Sequence, residues 1–131
     1  MLKVALHCMG QPLSQAAGEL EAQLRSAGVQ CTPYDPLRSI GIASIVLFVA
    51  YSEDLLRLVR EMSAAAIQRV LLLSMRPDSL AGGAAWELLR AGGSDVLTWS
   101  GDGRTAKEVV ARLERWQQVD TLVTQGAFKG R

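Results

Sequence analysis

The chain has 131 residues, 49% of them hydrophobic and 21% charged, with a net charge of +1, which suits one globular domain around one core. Its basic residues are scattered, so this segment is not expected to hold nucleic acid by itself, because phosphate binding needs a concentrated basic face. No apolar run approaches the roughly 18 residues of a membrane span and no secretory signal precedes the first strand, so a cytoplasmic chain with reduced thiols at Cys8 and Cys31 is expected.

Residues 2–6 read as a strand. Residues 13–27 read as a helix, with Leu13, Ala16, Ala17, Leu20 and Leu24 at helical spacing, Pro12 in its first turn and Gly28 past its end. Residues 29–34 read as a second strand, and Pro33 marks it as an edge strand. Residues 35–41 form a short connection. Residues 43–50 are an unbroken apolar run of the kind buried on both faces of a parallel sheet. Ser52 then caps a helix with acids in its first turn, extending to about residue 66. Residues 69–74 give another buried strand, and residues 80–91 a helix closed by Gly92 and Gly93. Residues 95–99 give a fifth strand. Residues 104–119 give a last helix with Ala106, Val109, Val110, Leu113 and Trp116 on its inner face. The polar tail after residue 120 reads as the start of a linker, so a domain over 1–120 followed by a linker over 121–131 is expected.

Strands alternating with helices imply an α/β fold with a five-stranded parallel, doubly wound sheet. The common order is 2-1-3-4-5, with the functional face at the carboxyl ends of the strands. The residues to examine are therefore His7 and Cys8, Val49 to Ser52, Ser74 and Met75, and Trp99 and Ser100. One histidine and two cysteines without C-x-x-C spacing offer no zinc site, and no cofactor or metal is expected. Gly82-Gly83 and Gly92-Gly93 do not form a G-x-G-x-x-G loop and read as helix-end features.

Residues 70–99, "VLLLSMRPDSLAGGAAWELLRAGGSDVLTW", resemble the second half of a response-regulator receiver domain. In that family a fourth strand ends in Ser or Thr, a helix follows, and a glycine-containing turn leads into strand 5. The layout extends the resemblance over residues 2–118. The resemblance implies an acidic pair after strand 1 to hold Mg²⁺, a phosphoryl-accepting aspartate ending strand 3, a hydroxyl after strand 4 and a lysine after strand 5. The corresponding positions here are His7 and Cys8, Val49, Ser74 and Trp99, so only the hydroxyl is matched. Mg²⁺ prefers carboxylate oxygens, valine is no nucleophile, and tryptophan cannot neutralise a phosphoryl group. The expectation is a degenerate receiver that is not an enzyme and is not phosphorylated on aspartate. Residues 106–123, "AKEVVARLERWQQVDTLV", resemble the end of the N-terminal regulatory domain of sigma-54-dependent transcriptional activators. That resemblance implies a downstream AAA+ ATPase and a helix-turn-helix domain as partners in a longer protein. No Walker-type glycine loop lies within these residues.

Two alternatives stand beside this reading. Cys8 and Ser14 form C-x5-S after a first parallel strand, which resembles the phosphocysteine loop of sugar-phosphotransferase IIB proteins. Against that, the loop has one glycine, loses a donor at Pro12 and holds no arginine, so a small buried thiol is favoured. A receiver-like adaptor standing alone is the other possibility. His7 could act as a general base or be a satisfied polar group at a strand end, and Ser74 could be a switch hydroxyl or the cap of the following turn. Trp86, Trp99 and Trp116 lie on elements that neighbour one another in this fold, and could be packing residues or a partner face. With Leu122, Val119 and Val123 extending an apolar stripe along the last helix, they point to a homodimer.

Overall fold

The computed structural model describes residues 2–10, 13–64 and 68–123. The strands are β1 (Lys3–Met9), β2 (Gln30–Pro33), β3 (Ala43–Phe48), β4 (Val70–Ser74) and β5 (Asp95–Thr98). The helices are α1 (Ser14–Ser26), α2 (Glu53–Met62), α3 (Ala84–Arg90) and α4 (Arg104–Leu122), and a 3₁₀ segment (Pro77–Gly83) precedes α3. The five strands form one all-parallel sheet in the order β2-β1-β3-β4-β5, the flavodoxin-like doubly wound arrangement expected from the alternation of strands and helices.

The apolar strands explain the layering. Residues of β3 and β4 are buried on both faces, because each face of a central parallel strand is covered by helices. On one face Ile45, Leu47, Leu71 and Leu73 meet Leu20 and Leu24 of α1 and Val109 and Leu113 of α4. On the other, Val46, Phe48, Val70 and Leu72 meet Leu55, Leu56 and Val59 of α2 and Leu88 of α3. Strand β2 is an edge strand, as Pro33 indicated.

Several boundaries differ from the sequence reading, each for a physical reason. Strand β1 does not stop at Leu6. His7, Cys8 and Met9 continue in register with Val46, Leu47 and Phe48, so the long apolar partner strand carries the polar residues along with it. Strand β3 ends at Phe48, and Val49 and Ala50 bend away. Helix α2 stops at Met62, four residues short of the expected end, where Ser63 caps it; the expected residues 65 and 66 lie outside the described ones. Pro12 also lies outside the described residues.

The largest difference is the helix expected over 80–91. It is broken. Ala81 takes ψ 161°, while Gly82 and Gly83 take φ +67° and +83°, and α-helix resumes only at Ala84. Glycine reaches positive φ without a Cβ clash, whereas in a helix interior it is weaker than alanine by about 1 kcal/mol. At the other end of the chain, α4 runs through Leu122, beyond the expected 119 and past the expected domain limit at 120. The linker residues 124–131 lie outside the described ones.

Candidate functional site

In a doubly wound sheet the crevice lies outside the carboxyl ends of the central strands. Here that rim is formed by Met9 at the end of β1 and Gly10 after it, Val49 to Ser52 after β3, Ser74 at the end of β4 and the residues to Ser79 after it, and Trp99 to Thr105 after β5. Because β1 is longer than expected, His7 and Cys8 sit within the strand rather than on the loop beyond it.

The two residues point to opposite faces, as alternation along a strand requires. Cys8 packs, half-buried, against the α1–α4 cluster. That burial pushes its thiol above the usual range, the opposite of the activation a nucleophilic thiolate needs. His7 lies on the other face, edge-on to the ring of Tyr34, with centroids 5.9 Å apart. Burial lowers its pKa and favours the neutral ring. Cys31 is buried on β2, its thiol within 3.9 Å of the Val29 carbonyl, and both cysteines are free thiols.

Ser74 is fully buried at the end of β4. Its hydroxyl lies 2.6 Å from the Arg76 carbonyl and 2.6 Å from the Ser79 hydroxyl, and it accepts from the Arg76 N–H at 3.2 Å. One arrangement satisfies all three contacts. Ser74 donates to the Arg76 carbonyl, while its two lone pairs accept from Arg76 N–H and Ser79 O–H. A serine hydroxyl has one proton and two lone pairs, so this one is fully used. It closes the turn that launches the 3₁₀ segment.

The β5–α4 corner is closed in a way the sequence reading missed. Thr105 is buried, and its hydroxyl oxygen accepts from Ser100 N–H at 2.6 Å. Asp102 accepts from the Ser100 hydroxyl at 2.5 Å and from Arg104 N–H at 3.1 Å. The Ser100 hydrogen bond, followed by that from the Arg104 backbone, holds the Asp102 carboxyl below its ordinary range. The run S-G-D-G-R-T carried this signal, since Asp and Thr beside glycines favour local side-chain-to-backbone bonds. Trp99 stands at this corner and packs, partly buried, against the α1–α4 cluster.

Between the β3–α2 and β4–α3 connections lies an open cleft of about 450 Å³. Val49, Tyr51, Arg76, Ser79, Gly82 and Glu87 are among its walls. Sequence reading pointed to Val49 and the end of β4 but not to Arg76 or Glu87, which also line the cleft. Arg76 pairs with Asp78 at 3.5 Å, and Glu87 with Arg90 at 3.8 Å. Among the described residues, no group of three or more His, Cys, Asp or Glu side chains is placed to hold a metal ion. No helix among them is long and apolar enough to cross a membrane.

The three tryptophans occupy different settings. Trp86 on α3 is 64% exposed. Trp116 on α4 packs against the same cluster as Trp99, and the Arg69 guanidinium lies 5.8 Å from its ring centre. Arg69 also donates to Asp120 at 2.8 Å, which ties the last turns of α4 to the start of β4. Beyond that tie Val119, Leu122 and Val123 are exposed, Leu122 by 68%.

No family model matches the chain, and no curated protein matches it.

Proposed function

We propose that this chain is a receiver-like regulatory and dimerisation domain that is not phosphorylated on aspartate, of the kind found at the N-terminus of sigma-54-dependent transcriptional activators. The observation that carries the reading is the chemistry of the rim. The sheet has the order 2-1-3-4-5, yet Val49 follows β3 where a phosphoryl acceptor would be needed. Ser74, the one matched hydroxyl, is buried and spent on Arg76 and Ser79. At the acceptor and hydroxyl positions, Val49 and Ser74, a phosphoryl group would meet neither nucleophile nor free hydroxyl.

In this reading control passes through surfaces. Trp86 on α3 and Leu122 on α4 present exposed apolar groups, and large exposed aromatic and aliphatic side chains are frequent anchors of protein contacts. The partners are a second copy of the chain and, in a longer protein, a neighbouring ATPase and a helix-turn-helix domain. The setting is cytoplasmic. The phosphocysteine reading is less favoured, because Cys8 lies inside β1 with its thiol pKa raised.

Two measurements test the proposal. Incubation with acetyl phosphate and Mg²⁺ leaves the intact mass unchanged; a phosphoryl adduct refutes it, and loss of that adduct in Cys8→Ala would establish the phosphocysteine reading instead. Light scattering at micromolar concentration finds a homodimer, and a monomer at every concentration removes the dimerisation role.

A further inference from the structure

The segment between β4 and α3 carries two sets of instructions. By sequence it reads as a helix. Leu80, Ala84, Leu88 and Ala91 recur at spacings of four, four and three; Leu80, Leu88 and Ala91 pack on the same face of the sheet, and Ala84 is buried. Helix-start signals are also present. Arg76 is extended, Pro77 begins the segment, and Asp78 lies in its first turn. Yet the chain breaks at Ala81, Gly82 and Gly83, and the turn that leads into the break is tied by the Ser74–Ser79 contact.

In the broken form a Cβ built on Gly82 or on Gly83 meets no atom within 4 Å, so what opposes alanine there is the positive φ and not a neighbouring side chain. We propose that residues 77–90 are a two-state element. In one state the 3₁₀ segment is latched by Ser74 and Ser79 and the cleft lies open. In the other, a continuous helix runs from Pro77 to Arg90, with Leu80 remaining on the same apolar stripe.

The two states differ where function would be felt. Ala81, Gly82 and Ala84 line the cleft at the break, so a small molecule lodged against them would favour the broken form. Glu87 faces the cleft, and Trp86, its neighbour on α3, stands on the exposed surface. Change at the break therefore re-aims the surface that carries Trp86. This deepens the regulatory reading above, by naming the element through which its partner surface would be controlled.

The test uses the intact chain with Gly82→Ala and Gly83→Ala combined. Each alanine favours helix about fivefold over glycine, and each penalises the observed positive φ by about a further fivefold. Together they shift the balance several hundredfold toward the continuous helix. Far-ultraviolet circular dichroism gains helical signal, and amide exchange in residues 80–84 slows by at least tenfold. A variant that folds with unchanged helicity and unchanged exchange overturns the proposal. Should the double variant not fold, Ser79→Ala provides the second reading: releasing the latch speeds exchange about tenfold within residues 76–84 and nowhere else, and unchanged exchange there overturns it. Sedimentation of the wild type keeps the two ideas apart. A monomeric wild type removes the dimerisation reading, while the helicity and exchange results still decide the two-state element.

Discussion

Ser74→Ala is the sharpest probe of the rim. The substitution deletes one atom from a site with no solvent exposure and leaves the strand otherwise unchanged. Three contacts are lost, to the Arg76 carbonyl, the Arg76 N–H and the Ser79 hydroxyl. A net hydrogen bond contributes about 0.5–1.5 kcal/mol, and a buried group left unsatisfied costs about 1–3 kcal/mol. Ser79 is only partly buried and Arg76 is exposed, so both can turn to water and recover part of the loss. The expected cost is therefore about 1.5–2.5 kcal/mol, below the sum of three full bonds. Urea denaturation measures it, as a lower midpoint at unchanged slope. Ser74→Thr keeps the hydroxyl and serves as the control for its chemistry, and Ser74→Cys serves as the control for its volume. A cost under about 0.5 kcal/mol for Ser74→Ala would show that the hydroxyl does not hold the turn. The argument that it is spent would then fail.

Three further outcomes follow from other parts of the molecule. Asp120→Asn costs about 1 kcal/mol because it removes the charge that pairs with a half-buried Arg69, whereas Arg69→Met costs less, since it retains the apolar stem beside Trp116 and removes an Nε that has no hydrogen-bond partner among the described residues; thermal unfolding of the two variants gives the order, and the reverse order refutes it. For His7 the folded pKa lies below its ordinary value of 6.5, so the unfolded chain binds more protons as pH falls through 6.5 toward the folded pKa; stability falls over that window and is retained above it, and His7→Gln flattens the slope in urea titrations at pH 7.5 and 5. Leu122→Asp leaves monomer stability within about 0.5 kcal/mol because the side chain is 68% exposed, yet weakens self-association at least tenfold; equal sedimentation of wild type and variant would exclude the end of α4 as a partner surface.

The fold was legible because its signals are repeated and local. The runs at Ile45 to Phe48 and Val70 to Leu73 announce central strands by being apolar at every position, and Pro33 announces an edge. Ser52 as a helix cap was equally plain, and its hydroxyl accepts from Leu55 N–H at 3.1 Å. The limit of β1 was not legible. His7 and Cys8 end the apolar run in sequence, but pairing with Val46 and Leu47 is a property of the neighbouring strand. The end of α4 was legible only in part: the stripe of Val119, Leu122 and Val123 carried it past 119, but not what anchors it. The Arg69–Asp120 contact spans 51 residues, and no local pattern reveals it.

The same distinction governs the candidate site. Sequence position marked Ser74 as a hydroxyl at the end of a strand, which is a statement about availability. Availability depends on what else is within reach, and here Arg76 and Ser79 arrive because the backbone turns sharply after β4. That turn in turn leads into a segment whose two glycines leave the helical pattern that Leu80, Ala84 and Leu88 would otherwise extend. The break thus accompanies two features at once: an open cleft between two loops, and a short α3 with Trp86 exposed on it. A continuous helix from Pro77 would change both together. That coupling makes the strand-to-helix connection, rather than any single side chain on the rim, the element through which the proposed control would act.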